Sequence, residues 1–174
     1  KSAFYECTGL KEVYITDLSA WCGIDFGDYY ANPLYYAHNL YINNELVTSL
    51  VIPNDVPSIG NYAFNNCTSL TEITIPEGVA SIGDCAFEDC TGLTTLNFNA
   101  ENCTTMGSSE YTVFQGCSNL TAVNIGESVK TIPAYAFSGC TRLTEITIPE
   151  SVTSIGEEAF YGCTGLTEIT IPNS

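Results

Sequence analysis

Residues 143–172 read LTEITIPESVTSIGEEAFYGCTGLTEITIP, and this stretch decides the fold. It returns on itself: Leu143-Thr-Glu-Ile-Thr-Ile-Pro149 recurs as Leu166-Thr-Glu-Ile-Thr-Ile-Pro172. The same words stand at residues 70–90, LTEITIPEGVASIGDCAFEDC. Working outward, Phe64, Phe87, Phe114, Phe137 and Phe160 are separated by 23, 27, 23 and 23 residues. Cys67, Cys90, Cys117, Cys140 and Cys163 keep the same steps, as do Leu70, Leu93, Leu120, Leu143 and Leu166. A fixed period in this range is the signature of a solenoid. The 27-residue step carries a four-residue insertion within Asn99–Tyr111.

Within one repeat, Ile146 and Ile148 alternate with Glu145, Thr147 and Pro149, which is strand periodicity. Pro149 ends the ladder because it has no N–H to donate. Val152 and Ile155 turn back inward, and Gly156 permits a tight turn. Glu157–Cys163 reads as a short helical or 3₁₀ turn with Ala159 and Phe160 inside. One repeat cannot bury its apolar face alone, so neighbours stack into a continuous core. The expected architecture is an α/β solenoid, with a parallel sheet on one face and short helical or 3₁₀ turns opposite. The start of the chain fits less well. Phe4, Cys7 and Leu10 form one repeat, and Asp17–Ala37 is an irregular insertion. Residues 38–53 form a degenerate repeat, in which Tyr41 falls at the Phe position and Asn44 at the Cys position.

The pattern L-x-x-I-x-I-P-x-x-V-x-x-I-G-x-x-A-F-x-x-C resembles the BspA-type leucine-rich repeat of bacterial and protist surface proteins. The resemblance covers nearly the whole chain, as a single domain over residues 1–174. The segment NPLYYAHNLYINNELVTSLVIP, residues 32–53, is similar to an irregular repeat of gut-bacterial members. The resemblance implies a leucine-rich solenoid, export to a bacterial cell surface or medium, and binding of proteins or other surfaces. It implies no catalytic residue, cofactor or metal. The chain begins inside a repeat at Ser2-Ala3-Phe4 and stops just after a strand, without polar capping units. It is therefore expected to belong to a longer surface protein.

Charge narrows the partners. The 174 residues hold 20 Asp+Glu against 4 Lys+Arg, a net charge of −16. Four cations (Lys1, Lys11, Lys130, Arg142) cannot neutralise a row of phosphates, which argues against nucleic acid and anionic membranes. No apolar run is long enough to span a bilayer. A single histidine, His38, leaves little room for a His-rich metal site or a triad. The sequons at Asn66, Asn102 and Asn119 are better explained by the repeat than by glycosylation, since the first contains a column Cys and the third a column Leu.

Nine cysteines in an exported chain suggest disulfides, but stacking argues otherwise. Equivalent residues of adjacent strands stand about 4.8 Å apart and parallel, whereas a disulfide needs converging Cβ atoms roughly 3.5–4.5 Å apart. Cys7, Cys67, Cys90, Cys117, Cys140 and Cys163 therefore read as buried apolar plugs with free thiols. Cys22, Cys85 and Cys103 lie off the column. Cys85 shares its position with Tyr62, Thr112, Tyr135 and Glu158, so it is the best candidate for an exposed thiol.

Two surfaces are candidates for partner binding. The sheet face presents Glu72, Thr74, Thr95, Asn97, Asn124, Glu145, Thr147, Glu168 and Thr170, with Glu12 and Tyr14 at its start. Thr also simply suits a half-exposed strand, and this set lacks hot-spot aromatics. Glu145 and Glu168 are expected to be strand neighbours, a spacing close to that of a retaining glycosidase pair. Any repeat stacks identical residues, however, and repulsion of about 0.9 kcal/mol in water is tolerable. The second surface is the insertion, with Trp21, Tyr29, Tyr30, Tyr35 and Tyr36, side chains that give contact area at low entropy loss. Its plainer role is to cover its own apolar surface. The reading is a non-enzymatic adhesion module recognising a protein or glycan, with an inert spacer as the alternative.

Overall fold

The computed structural model describes residues 1–171. The leucine-rich pattern winds into a solenoid of about seven turns, with parallel sheets and little helix. Each turn places one strand on a principal sheet. These strands are β1 (Val13–Ile15), β2 (Leu40–Ile42), then, after the hairpin strand β3 (Glu45–Leu46), β4 (Ser49–Val51). A second, narrower sheet begins with β5 (Ser58–Ile59). From there the two sheets alternate: β6 (Glu72–Ile75), β7 (Ser81–Ile82), β8 (Thr95–Phe98), β9 (Thr105–Met106), β10 (Ala122–Ile125), β11 (Thr131–Ile132), β12 (Glu145–Thr147), β13 (Ser154–Ile155) and β14 (Glu168–Thr170).

Pairing follows the repeat. On the principal sheet β4, β6, β8 and β10 are parallel neighbours, with Leu50, Ile73, Leu96 and Val123 in one register. Strand β12 pairs with β14, and β1 with β2. On the narrow sheet β5, β7 and β9 form one ladder, and β11 with β13 another. The core runs between the sheets. Phe64, Phe87, Phe114 and Phe137 are almost fully buried, and the Phe64–Phe87 and Phe87–Phe114 rings stack at 5.1 and 5.6 Å.

The expected short helical or 3₁₀ turn opposite the sheet is built as a pair of tight turns with 3₁₀-type bonds rather than as a continuous helix. Two residues four apart adopt the left-handed region in the repeats of Phe64, Phe87, Phe137 and Phe160, whereas in that of Phe114 only the second does, Thr112 lying outside it. One column is Tyr62, Cys85, Tyr135 and Glu158, at φ of 52–60°. The other is Asn66, Asp89, Gly116, Gly139 and Gly162. Left-handed residues four apart leave no run of right-handed backbone long enough for a helix. The bonds close over three residues, as in Tyr161 N–H to Glu158 O and Cys163 N–H to Phe160 O. Among the described residues, helix is confined to the insertion: α1 (Leu18–Cys22), a 3₁₀ turn at Tyr29–Ala31, and α2 (Leu34–Ala37).

The cysteine column does more than fill space. Cys90 Sγ donates to Phe64 O at 3.2 Å, Cys117 Sγ to Phe87 O at 3.1 Å and Cys163 Sγ to Phe137 O at 3.2 Å. The thiol is thus a small apolar plug with one donor aimed at the preceding turn. All nine thiols are free. Cys85 is buried, contrary to the exposed thiol expected from its polar column. Its left-handed backbone lays the sulfur between Glu88 and Tyr62, and burial with the Glu88 charge pushes the thiol up to about 12. Cys7, expected as a buried plug, is the exposed one, since no turn covers its outer side among the described residues.

The four extra residues also resolve. Ile82 pairs with Met106, one residue beyond the regular step, so the other three lie in the loop around Ser108–Tyr111. Tyr41 does not take the Phe position its spacing suggested. It stands on β2 opposite Tyr14, and Asn43 and Asn44 form a hairpin turn with φ of 52° and 68°. Positive φ at both central residues is what a twist-matched two-residue hairpin requires.

Candidate functional site

The principal sheet sets its outward side chains in two rows. Ser49, Glu72, Thr95 and Ala122 share one register; Val51, Thr74, Asn97 and Asn124 share the next. Glu145 stands beside Glu168, and Thr147 beside Thr170. The structure therefore brings the predicted sheet-face residues together as rows. Asn124 Nδ2 donates to Asn97 Oδ1 at 2.8 Å, and Asn97 Nδ2 donates to Glu72 Oε1 at 2.9 Å and Thr74 Oγ1 at 3.2 Å. Three strands thus share one side-chain chain of hydrogen bonds, which fixes its rotamers before any partner arrives.

A shallow groove of about 340 Å³ lies over the far end of this face, lined by Asn124, Glu127, Glu145, Thr147, Glu168 and Thr170 among others. Its carboxylates face solvent, and no histidine or cysteine lines it. Among the described residues, no group of three or more His, Cys, Asp or Glu is placed to hold a metal ion. The Glu145–Glu168 pair is exposed on both members, without the desolvation that turns one carboxyl into a general acid.

At the other end of the face Tyr14 and Tyr41 stack at 4.7 Å with an interplanar angle of 23°. Glu12 clamps both rings, accepting from Tyr14 Oη at 2.9 Å and Tyr41 Oη at 3.3 Å. That hydrogen bond and burial raise the Tyr14 hydroxyl; burial first, then the Glu12 charge, raises that of Tyr41. Tyr41 was missing from the sequence-based site. The signal was present: Val13-Tyr14-Ile15 and Leu40-Tyr41-Ile42 share one pattern, and they pair residue for residue.

The insertion divides its aromatics between two roles. Trp21 is not available to a partner: it is only 8% exposed, and its Nε1 donates to Ala63 O at 2.9 Å. Tyr29, Tyr30, Tyr35 and Tyr36 form a surface cluster with ring centroids 4.3–5.2 Å apart, extended by Tyr5 at 4.9 Å from Tyr30. Tyr36 is also structural, its Oη accepting from Glu6 N–H at 2.9 Å. The buried thiols offer no nucleophile. Burial raises Cys22 to about 12 and Cys67 and Cys103 to about 11, keeping them protonated at neutral pH. His38 caps α2 in the left-handed region and is exposed.

Strand register, stacked phenylalanines and a sheet lined by repeat positions define a leucine-rich repeat solenoid. The BspA type leucine rich repeat region, in six copies, matches residues 37–113 and 109–174, and the chain belongs to that family. The family is generally non-catalytic. A leucine-rich repeat protein from Bacteroides ovatus is 38% identical over 71% of this chain and 33% of its own, with a TM-score of 0.53. The T. pallidum leucine rich repeat protein is 28% identical over 72% of this chain and 59% of its own, with a TM-score of 0.57. A leucine rich cell surface protein from Faecalibacterium prausnitzii is 33% identical over 73% of this chain and 39% of its own, with a TM-score of 0.44. This chain thus matches less than two thirds of each of these proteins. No curated protein matches the sequence. No helix of the described residues is long and apolar enough to cross a membrane.

Proposed function

We propose that this chain is a non-enzymatic binding module of an exported bacterial surface protein, and that it recognises a protein or glycan partner through the principal sheet. The observation that carries this reading is the hydrogen-bonded row from Asn124 through Asn97 to Glu72 and Thr74. A row of amides and carboxylates held in place on a rigid sheet offers donors and acceptors without an ordering penalty on binding. The cell-surface description of the F. prausnitzii relative supports the location. The charge of −16 favours neutral or basic partners.

The test is a panel of immobilised matrix proteins and glycans probed with the intact chain. Binding that weakens at least tenfold in an Asn97→Ala/Asn124→Ala variant, and survives in Tyr35→Ala, supports the sheet face. The reverse pattern moves the site to the tyrosine cluster of the insertion. An intact chain that binds nothing supports a spacer role. That reading draws on the groove lining, which holds no aromatic side chain.

A further inference from the structure

From β4 onward, among the described residues, the solenoid is sealed by inter-turn bonds on all of its faces except at one boundary. Elsewhere the turn amides donate upward to the next repeat: Phe64 N–H to Ala86 O, Asn66 N–H to Glu88 O, Phe87 N–H to Val113 O, Asp89 N–H to Gln115 O, and Phe137 N–H to Ala159 O. Phe114 and Gly116, at the same heights, have no such partner among the described residues. The four-stranded ladder of the principal sheet that begins at β4 ends at β10 and the sheet resumes at β12, while the narrow sheet stops at β9 and resumes at β11. Thr71, Thr94 and Thr167 each donate to the preceding Thr carbonyl, and Thr144 does not. The phenylalanine stack runs Phe64–Phe87–Phe114 and restarts at Phe137–Phe160. The thiol-to-Phe bonds skip Cys140 alone within that series. Every interruption falls on the same circuit of the chain.

The sequence supplies a cause. One position after the narrow strand is Gly60, Gly83, Gly107, Pro133 and Gly156. Each glycine N–H donates to the turn below, at 2.8–2.9 Å: to Cys22 O, Ile59 O, Ile82 O and Ile132 O. The approach is close, for a Cβ at Gly83 would stand 2.4 Å from the Asn61 side-chain oxygen and one at Gly156 would stand 2.3 Å from Ala134 N. Pro133 has no N–H to give and a ring where the others have nothing. The loop around Ser108–Tyr111, carrying three of the four extra residues, sits in the turn it must meet.

We infer that this boundary is a hinge seam, and that residues 130–171 move as one block against the turns before them. Apolar packing continues across it, with Phe98 edge-on to Phe137 at 6.0 Å and Ile132 and Phe137 in the common core. Such contacts are non-directional and tolerate sliding and tilting, whereas hydrogen-bonded ladders do not. The seam crosses the principal sheet between β10 and β12, so the Asn97–Asn124 row and the Glu145–Glu168 pair lie on different blocks. A partner touching both holds the two halves at one angle.

Native-state hydrogen exchange on the intact chain tests this at single amides. Phe114 and Gly116 N–H exchange at least about 100-fold faster than Phe87 and Asp89 N–H. Phe137, Gly139, Thr153 and Gly156 N–H are bonded within the block and stay protected when it moves. Pro133→Gly places at the seam the residue found at the four equivalent positions; by closing the seam it brings Phe114 and Gly116 N–H onto Ala136 O and Ser138 O and slows their exchange at least about tenfold. Unchanged exchange of both amides in Pro133→Gly, or equal exchange of the Phe87 and Phe114 amides in the wild type, overturns the hinge.

Discussion

The insertion at residues 17–37 and the boundary at Pro133 make opposite use of their sequences. The insertion is the least repeat-like part of the chain, yet it is stitched into the solenoid on both sides. Cys22 O accepts from Gly60 N–H at 2.8 Å, the bond that Ile59 O makes with Gly83 one turn later. Phe26 N–H donates to Asn61 O as Tyr62 N–H donates to Asp84 O. Ala63 O, which a neighbouring turn would otherwise meet, accepts from Trp21 Nε1 and from Asn32 Nδ2 at 3.1 Å. On its other side the insertion accepts from Phe4 N–H at Tyr30 O and from Glu6 N–H at Tyr36 Oη. The Pro133 turn keeps nearly every repeat residue and loses the stitching to the turn before it. Continuity in a solenoid therefore depends on donors and acceptors at fixed heights, which an unrelated segment can supply and one proline can withdraw.

The largest expected break is at the insertion. Trp21 fills a buried site and caps Ala63 O, so Trp21→Ala leaves a cavity and an unpaired carbonyl. The expected loss is about 3–5 kcal/mol in denaturant unfolding followed by circular dichroism. A loss under about 1 kcal/mol would mean the insertion is merely draped over the turn beneath it.

Next in size is a matched pair within the glycine column. Gly83→Ala pushes a methyl into Asn61, whose backbone N lies 2.6 Å from the new Cβ, and costs about 1–3 kcal/mol. Pro133→Ala places the same side chain at the seam, where close approach is already lost. It costs no more than about 1 kcal/mol, the stiffening that proline gives the unfolded chain. Equal losses at both positions would show the seam to be as tightly packed as the other turns.

These contrasts also mark what was legible in the chain. The period, the strand register and the buried Phe, Leu and Cys columns follow from spacing alone, because apolar residues at fixed intervals must share a face. The left-handed columns did not show, since Tyr62, Cys85, Tyr135 and Glu158 have no common chemistry; what they share is a backbone conformation. Missing that, Cys85 read as exposed. The burial of Trp21 was hidden for a related reason, because its acceptor lies 42 residues away. Pro133 was visible, but its meaning depended on a bond that only the neighbouring turns reveal.

A smaller effect sharpens the point about the left-handed column. Glu158 holds φ of 52° with an exposed side chain. Glu158→Gly relieves the left-handed penalty and adds chain entropy to the unfolded state, for a net gain of up to about 1 kcal/mol. The equivalent change at Arg142, outside the column, brings no gain. Thermal unfolding of the two variants checks this.

The smallest effect is electrostatic and belongs to the turn after the one that the insertion covers. Glu88 is half-buried, and burial first, then the Asp89 charge, raises its carboxyl above the ordinary carboxylate value. Its Oε2 accepts from buried Asn65 Nδ2 at 2.8 Å, which partly offsets the rise. A carboxyl raised in the folded state favours folding when protonated. Its contribution is full below the unfolded pKa and is lost as pH rises through the folded one. The charge on Glu88 therefore lowers stability at neutral pH. Glu88→Gln keeps an acceptor for Asn65 and removes that charge, so the variant gains on the wild type as pH rises from about 4 to 7. The difference between the two unfolding curves isolates Glu88 from the other carboxylates of this acidic chain. A difference that stays flat across that range would place the Glu88 carboxylate in solvent rather than half-buried against Asn65.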